Sequence, residues 1–180
     1  MARTAGLVLA AGEGRRFGGP KAPYQLDGER LVDRAVLVLR DAGVDPVVVV
    51  LGAWVGEVPE ADIVVNTDWR AGMGSSLRVG LEHVTARDDI DRVLVTLVDL
   101  VGLTPDAVRR LVETGADLAA ATYDGERGHP VLLARRHWEG AAASAVGDRG
   151  ARTYLAEREV VAVEVGDIAS GDDLDVRPPS

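Results

Sequence analysis

Short apolar segments alternate with amphipathic segments along most of the chain. Residues 47–51 are five consecutive apolar residues, as in a strand that is covered on both faces. Between residues 29 and 42 apolar side chains recur every three or four positions, which predicts a helix that ends at Gly43. The same criteria predict further strands at 7–10, 63–65, 93–98, 118–122, 131–133 and 160–165. They predict further helices at 74–84, from Thr104-Pro105 onwards, and at 148–157.

Strands that alternate with helices predict an α/β fold. We expect a single domain over residues 1–180, with a Rossmann-like three-layer α/β/α architecture around a mainly parallel sheet. The sequence contains no internal repeat and no low-complexity linker that would divide it.

The composition excludes several classes of function. The net charge of −9 argues against broad binding to nucleic acid or to an anionic membrane. The chain has no cysteine, so it forms no disulfide and has no thiolate nucleophile or metal ligand. Three histidines are too few for a clustered histidine metal site. The sequence shows neither a signal-peptide pattern nor an apolar run of about 20 residues, so we expect a cytoplasmic location and no membrane partner.

Lys21 is the single lysine among 20 basic residues, and it closes a glycine-rich loop directly after the first predicted strand. This loop lacks the third glycine of a dinucleotide fingerprint, because Phe17 stands there. It is no Walker A loop either, because Ala22 follows the lysine. Glycines that permit close backbone approach, together with cations, favour binding of a polyphosphate. The structural alternative is an ordinary surface loop.

Asp99 follows the buried strand predicted at 93–98. Ligands of open α/β sheets lie beyond the carboxyl ends of the strands. A carboxylate at that edge, near a phosphate loop, indicates a magnesium ligand. The structural alternative is an aspartate that caps the turn before Thr104.

The run from Leu9 to Lys21 resembles the signature of the MobA-like nucleoside-triphosphate transferases, and most of all that of the molybdenum cofactor cytidylyltransferases. Further segments resemble motifs of this family in the same order: residues 66–77, Asp99, residues 128–131, residues 147–152 and residues 167–174. The resemblance therefore spans nearly the whole chain, and it implies the nucleotide-diphospho-sugar transferase type of the α/β fold.

The resemblance also implies roles for individual residues. Lys21, Arg16 and Asp99 would be catalytic, and Asp99 and Asp167 would hold Mg²⁺. The nucleotide would be bound by Ala10, Ala11, Gly12, Gly14, Arg16, Lys21, Asn66, Ser75 and Ser76. The phosphorylated acceptor would meet His129, Arg149 and Arg152, although His129 can equally serve a turn before Pro130.

The implied reaction is transfer of CMP from CTP to a phosphorylated acceptor, molybdenum-bearing molybdopterin, with release of pyrophosphate. Guanosine users of the family typically have Leu-Ala-Gly-Gly where this chain has Leu9-Ala10-Ala11-Gly12, which favours CTP. A molybdoenzyme or its chaperone is the implied protein partner. Two alternatives stay open: a guanylyltransferase of the same fold, and a nucleotide-binding regulator or chaperone that has lost catalysis. The second alternative follows from two departures from the family pattern. Val101 stands where the family usually has proline, and in the closing motif, residues 167–174, Ala169 and Gly171 replace the usual aspartate and proline.

Overall fold

The computed structural model describes residues 2–179. Its central sheet has seven strands in the order β5-β4-β1-β6-β8-β7-β9, and β2 and β3 form a separate two-stranded ribbon. The strands are β1 Thr4–Ala10, β2 Gln25–Leu26, β3 Glu29–Arg30, β4 Val47–Leu51, β5 Asp62–Val65, β6 Arg92–Leu97, β7 Leu118–Tyr123, β8 Glu126–Ala134 and β9 Val161–Glu164. The helices are α1 Leu31–Asp41, α2 Met73–Thr85, α3 Pro105–Glu113, α4 Trp138–Ser144 and α5 Arg152–Ala156.

The sheet is mainly parallel, as the sequence predicts. β1 pairs in parallel with β4 and β6, β4 with β5, and β7 with β9. β8 is the exception, because it runs antiparallel to both β6 and β7. A two-residue turn of Asp124 and Gly125, both with positive φ, joins β7 to β8, which is the geometry of a tight hairpin.

Two apolar layers cover the sheet and confirm the three-layer architecture. On one face, α1 and α3 pack through side chains such as Val36 and Leu111. On the other face, α2, α4 and α5 pack through side chains such as Leu77 and Trp138. All five residues of β4 are buried, which is why its sequence is apolar without alternation. No helix among residues 2–179 is long and apolar enough to cross a lipid bilayer.

Two helical segments differ from the sequence prediction. The pattern gave no sign of α4, because small residues fill most of it and only Trp138 and Ala141 are buried. The helix predicted at 148–157 is shorter: residues 147–149 form a 3₁₀ turn, Gly150 follows with positive φ, and α5 begins only at Arg152. The predicted start of α3 is confirmed: the Thr104 hydroxyl accepts a hydrogen bond from the Ala107 amide at 3.2 Å.

Candidate nucleotide cleft

A cleft of about 530 Å³ opens where β1 and β6 end. Leu9 and Leu97 are register partners in these parallel strands, and the Val98 amide donates to the Leu9 carbonyl at 3.1 Å. The segment that follows β1 and the Asp99 carboxylate therefore meet at the same edge of the sheet. This is the position where open α/β sheets bind ligands.

The glycine-rich loop is held in a tight turn at Gly14. The Gly14 carbonyl accepts hydrogen bonds from the amides of Gly18 at 2.8 Å and Gly19 at 3.0 Å. Gly14 has φ +62°, and a Cβ there would lie 1.9 Å from the Gly19 carbonyl oxygen. Only glycine fits this position, so the loop conformation depends on it.

One aromatic side chain anchors the loop to the body of the protein. Phe17 is 3% exposed, and its ring meets that of Tyr24 edge to face with centroids 4.8 Å apart. The Lys21 ammonium lies 5.8 Å from the Phe17 centroid, within range of a cation–π interaction. Phe17, which stands where a dinucleotide fingerprint has its third glycine, is thus the residue that fixes the loop.

The Lys21 ammonium donates a hydrogen bond to Oδ2 of Asp99 at 2.7 Å. Both side chains are largely buried, with 16% and 17% of their surfaces exposed. Asp175, near the C-terminus, lies 3.6 Å from the same ammonium and is half exposed. The structure therefore brings together the two residues that the sequence singles out, although they are 78 positions apart.

Asp173 is a neighbour of this pair that the sequence analysis missed. Burial raises the pKa of its carboxyl, and the negative charges of Asp99 and Asp175 raise it further. Within residues 2–179, no group of three or more histidine, cysteine, aspartate or glutamate side chains forms a ready-made metal site. The acidic residues beside Lys21 therefore do not form a complete metal cage by themselves.

The arginines of the cleft differ from the sequence prediction. Arg16 is exposed and does not line the cleft, whereas its neighbour Arg15 does. Arg15 forms an ion pair with Glu13 and is mostly exposed. Arg70 also lines the cleft, and its guanidinium lies 4.3 Å from the ring of Trp69, a further lining residue. Trp69 and Arg70 lie within residues 66–77, which resemble a family motif, but the resemblance did not identify these two side chains.

Asn66, Ser75 and Ser76 form a buried hydrogen-bond network at the start of α2. The Asn66 side-chain amide donates to the hydroxyls of Ser75 at 2.9 Å and Ser76 at 3.0 Å. Asn66 is only 2% exposed, and of the three only Ser76 lines the cleft. The network fixes the segment from Asp68 to Gly72, because the Asp68 amide donates to Asn66 and Ser75 donates to the Gly72 carbonyl. Asn66 and Ser75 thus support the cleft wall from behind.

Asp167 lies away from Asp99, contrary to its expected role as a second metal ligand. Its carboxylate accepts hydrogen bonds from both terminal nitrogens of Arg110, at 2.7 and 3.1 Å. These hydrogen bonds lower the pKa of Asp167. Asp167 lines neither this cleft nor the one described next. The carboxylate of the closing motif that does approach Asp99 is Asp173.

A second cleft, of about 390 Å³, adjoins the first. The two share Leu9, Met73, Leu97 and Asp148 among their lining residues. Its floor is aliphatic, and its basic groups are Arg127, His129, Arg149 and Arg152. His129, Arg149 and Arg152, which the resemblance assigns to the acceptor, thus lie together in one cleft. Arg127 lines the same cleft, although the sequence analysis did not name it.

His129 is fixed in this second cleft through its backbone, and its imidazole is partly buried. Its carbonyl accepts a hydrogen bond from the Tyr123 hydroxyl at 2.7 Å. Burial lowers the pKa of its imidazole, the nearby Asp99 opposes that shift, and Arg152 adds to it. Burial also raises the pKa of Tyr123, to about 12. The imidazole is therefore neutral at neutral pH, and the positive charge of this cleft comes from its arginines.

Comparison with known proteins gives the family. The model of the MobA-like NTP transferase domain matches residues 6–163. The nicotine blue oxidoreductase of Paenarthrobacter nicotinovorans is 35% identical over 188 residues, which cover 94% of this chain and 91% of that protein. A probable molybdenum cofactor guanylyltransferase of Opitutus terrae is 59% identical over 46 residues, 26% of this chain and 23% of the relative.

Solved structures support the same assignment. A homologue of Mycobacterium tuberculosis Rv0371c from Mycobacterium sp. strain JC1 superposes with a TM-score of 0.82 at 30% identity, covering 97% of this chain and 91% of that one. Rv0371c of Mycobacterium tuberculosis H37Rv in complex with manganese superposes with a TM-score of 0.74 at 26% identity, covering 91% and 89%. Because the family model covers most of the chain, the chain belongs to the MobA-like NTP transferases, a family of nucleotidyltransferases.

Proposed function

We propose that this protein transfers CMP from CTP to a phosphorylated small-molecule acceptor and releases pyrophosphate. The observation that carries the proposal is the continuity of the two clefts. One is lined by a glycine-rich loop and a lysine, and the other is lined by arginines. Two phosphorylated ligands bound in them would meet at the wall that the clefts share, which includes Leu97 and Asp148. Asp99 lines the first cleft and Asp173 the second.

The chain's own groups would act mainly by positioning and by charge. A terminal phosphate oxygen of the acceptor attacks the α-phosphorus of the nucleotide, and the bond to the pyrophosphate oxygen breaks. Lys21, together with Arg15 and Arg70 on the cleft wall, would stabilise the charge that develops on the leaving pyrophosphate. Backbone amides of residues 10–14 would hold the phosphates in line. Arg16 has no part in this proposal, because it does not line the cleft.

The residues beside Lys21 fit a divalent cation. Burial is the main cause of the raised pKa of Asp173, and the negative charges of Asp99 and Asp175 add to it, so a cation bound near Asp173 would be favourable. We propose Mg²⁺ held by Asp99 and Asp173, with the nucleotide phosphates completing its oxygen ligands. A cation there supplies charge neutralisation for the phosphate oxygens. The manganese complex of Rv0371c supports a divalent ion in this family.

The preference for CTP rests on Ala11. This residue is buried against the segment after β4: its carbonyl accepts from the Ala53 amide at 3.0 Å, and a Cβ on Gly52 would lie 2.8 Å from the Ala11 Cβ. Guanosine users typically have glycine at this place in the motif. The extra methyl group reduces the room beside the loop, which favours a pyrimidine base over a purine.

The acceptor is proposed to carry its phosphate against Arg127, Arg149 or Arg152. A planar ring system would lie on the aliphatic floor formed by side chains such as Leu97 and Val131. Molybdopterin that already carries molybdenum has this combination of a ring system and a terminal phosphate. A molybdoenzyme or its chaperone would then receive the product.

Specific observations favour two other functions. The local similarity to a guanylyltransferase favours GTP as the nucleotide. The similarity to nicotine blue oxidoreductase extends over nearly the whole chain and favours a redox activity in the same clefts. A redox reaction consumes a reduced or oxidised partner and releases no pyrophosphate, so the two classes of activity give different products.

The test is a pyrophosphate-release assay with CTP, GTP, ATP and UTP, each with Mg²⁺ and molybdopterin that carries molybdenum. We expect release with CTP in the wild type and strong loss in Lys21→Ala. Release with GTP alone would replace the cytidine assignment by the guanosine one. Nucleotide binding with no release for any of the four would instead support a regulator or a chaperone, and turnover of a reduced nicotinamide cofactor would support an oxidoreductase.

A further inference from the structure

The C-terminal segment crosses the edge of the nucleotide cleft. Residues 170–177, called here the C-terminal strap, run alongside the segment that comes directly after β6. The Ser170 amide donates to the Gly102 carbonyl at 3.1 Å, and the Leu174 amide donates to the Asp99 carbonyl at 3.0 Å. These backbone hydrogen bonds tie the strap to the same segment that carries the Asp99 carboxylate.

Arg177, at the end of the strap, reaches the glycine-rich loop. Its guanidinium carbon lies 5.3 Å from the centroid of Phe17 and 5.5 Å from that of Tyr24. One terminal nitrogen donates a long hydrogen bond of 3.4 Å to the Gly18 carbonyl. A planar guanidinium can interact with two rings and a carbonyl at once, which an ammonium group does poorly.

The ring of Phe17 links Arg177 to Lys21, because both cations lie within 6 Å of its centroid. The loop's own hydrogen bonds at Gly14 close its tight turn, and backbone hydrogen bonds of Ala11 and Ala22 hold its two ends. Arg177 adds a contact at the middle of the loop, at Phe17 and Gly18. It thereby reaches the ring beside the Lys21 ammonium from a position 156 residues later in the chain.

We propose that Arg177 is a positioning residue for the nucleotide: it holds the glycine-rich loop through Phe17, Tyr24 and Gly18, so that Lys21 faces the triphosphate. Arg177 acts through the loop and needs no contact of its own with the reacting phosphates. This inference rests on the proposed nucleotide site, and it adds the C-terminal strap as part of that site.

The experiment compares Arg177→Ala and Arg177→Lys with the wild type in the full chain. Arg158→Ala is the matched control, because Arg158 lies 3.4 Å from the centroid of Tyr154 and lines neither cleft. The measurements are the dissociation constant of CTP with Mg²⁺, the KM and kcat of pyrophosphate release, and the rate of tryptic cleavage after Arg15 and Arg16 without nucleotide. Thermal unfolding checks that each variant is folded.

We expect Arg177→Ala to weaken CTP binding and raise KM about three- to ten-fold, with a much smaller change in kcat. Tryptic cleavage of the loop should accelerate, Arg177→Lys should recover part of both effects, and Arg158→Ala should change neither. Unchanged CTP binding in Arg177→Ala overturns the proposal, even if the loop is cleaved faster. If the wild type binds neither CTP nor GTP, the proposed function and the role of Arg177 toward the nucleotide both fail, and the cleavage rate decides whether Arg177 holds the loop: faster cleavage supports this and an equal rate overturns it.

Discussion

The Lys21 ammonium and the Asp99 carboxylate form a 2.7 Å ion pair at the edge where β1 and β6 end. Each residue is held on its own side: Lys21 by the loop that Phe17 anchors, and Asp99 by the strand end and the C-terminal strap. Since the pair is largely buried, removing either partner leaves the other poorly solvated.

Replacement of Lys21 tests the role of the single lysine. We expect Lys21→Ala to lower the turnover number for pyrophosphate release by about 10²–10³-fold, the range for loss of one preorganised charge contact. Lys21→Arg is the matched variant: it keeps the charge but presents a planar fork in place of a point charge, so we expect partial activity. Wild-type turnover in Lys21→Ala would exclude this role.

Replacement of Asp99 tests the metal site. Asp99→Asn should shift the Mg²⁺ titration of activity to higher concentration, since an amide is a weaker ligand for a hard cation than a carboxylate. Asp167→Asn is the control, because Asp167 pairs with Arg110 outside both clefts and its removal should leave the titration unchanged. The opposite result, with Asp167→Asn shifting the titration and Asp99→Asn not, would restore the assignment made from the sequence.

Replacement of Asp175 should strengthen nucleotide binding. Its carboxylate lies 3.6 Å from the Lys21 ammonium and competes with phosphate oxygens for that cation. Because Asp175 is half exposed, we expect only about a two- to five-fold lower dissociation constant for CTP in Asp175→Asn, and a smaller gain at high salt. Asp172→Asn removes the same charge from a strap residue whose hydrogen bond is to Ser170, and it serves as the control. Weaker binding in Asp175→Asn would show instead that this carboxylate assists the nucleotide.

Replacement of Gly14 tests the tight turn of the loop. An alanine there would place Cβ 1.9 Å from the Gly19 carbonyl at a positive φ, so the turn must open. We expect Gly14→Ala to lower the free energy of unfolding by about 1–3 kcal/mol and to weaken nucleotide binding. Gly12→Ala is the control for stability alone, since a Cβ on Gly12 meets nothing within 4 Å.

The lowered pKa of His129 predicts a pH dependence of stability. The folded protein binds this proton less readily than the unfolded chain, whose histidine titrates near 6.5. The free energy of unfolding should therefore be highest, as far as His129 contributes, above pH 6.5, and it should fall as the pH decreases below 6.5. Urea unfolding of wild type and His129→Gln over this range is the measurement, because the glutamine variant should lose less stability on acidification. Equal losses in both proteins would show that His129 contributes nothing to the acid sensitivity.

The fold could be predicted from the sequence wherever burial leaves a strong pattern. β4 was predicted with its bounds, because a strand covered on both faces must be apolar throughout. The dipeptide Asp124-Gly125 is a hairpin signal, and in the structure it forms the two-residue turn with positive φ that makes β8 antiparallel to β7. α4 left little signal, because its alanines and glycine fit either a helix or a loop.

The sequence predicted which segments form the site better than it predicted which side chains in those segments line the clefts. Lys21 and Asp99 were found because one is the chain's single lysine and the other ends a buried strand. Arg16 and Asp167 were assigned by motif position, which does not say where a side chain points, and in the structure Arg15 and Asp173 lie nearer the cleft. Arg127 directly precedes residues 128–131, so the resemblance indicated its segment but not its side chain. Arg177 reaches the glycine-rich loop only through the return of the C-terminal strap, for which local sequence carries no sign.

The pairing of Lys21 with Asp99 also determines which anions the resting protein attracts. A bare anion such as inorganic phosphate would have to separate the ammonium from its carboxylate and would leave Asp99 without compensation. A nucleotide that arrives with a divalent cation gives each partner a new counter-ion at the same moment. Under the proposed function, the ion pair would therefore favour nucleotides that carry a divalent cation over bare phosphate at the chain's single lysine.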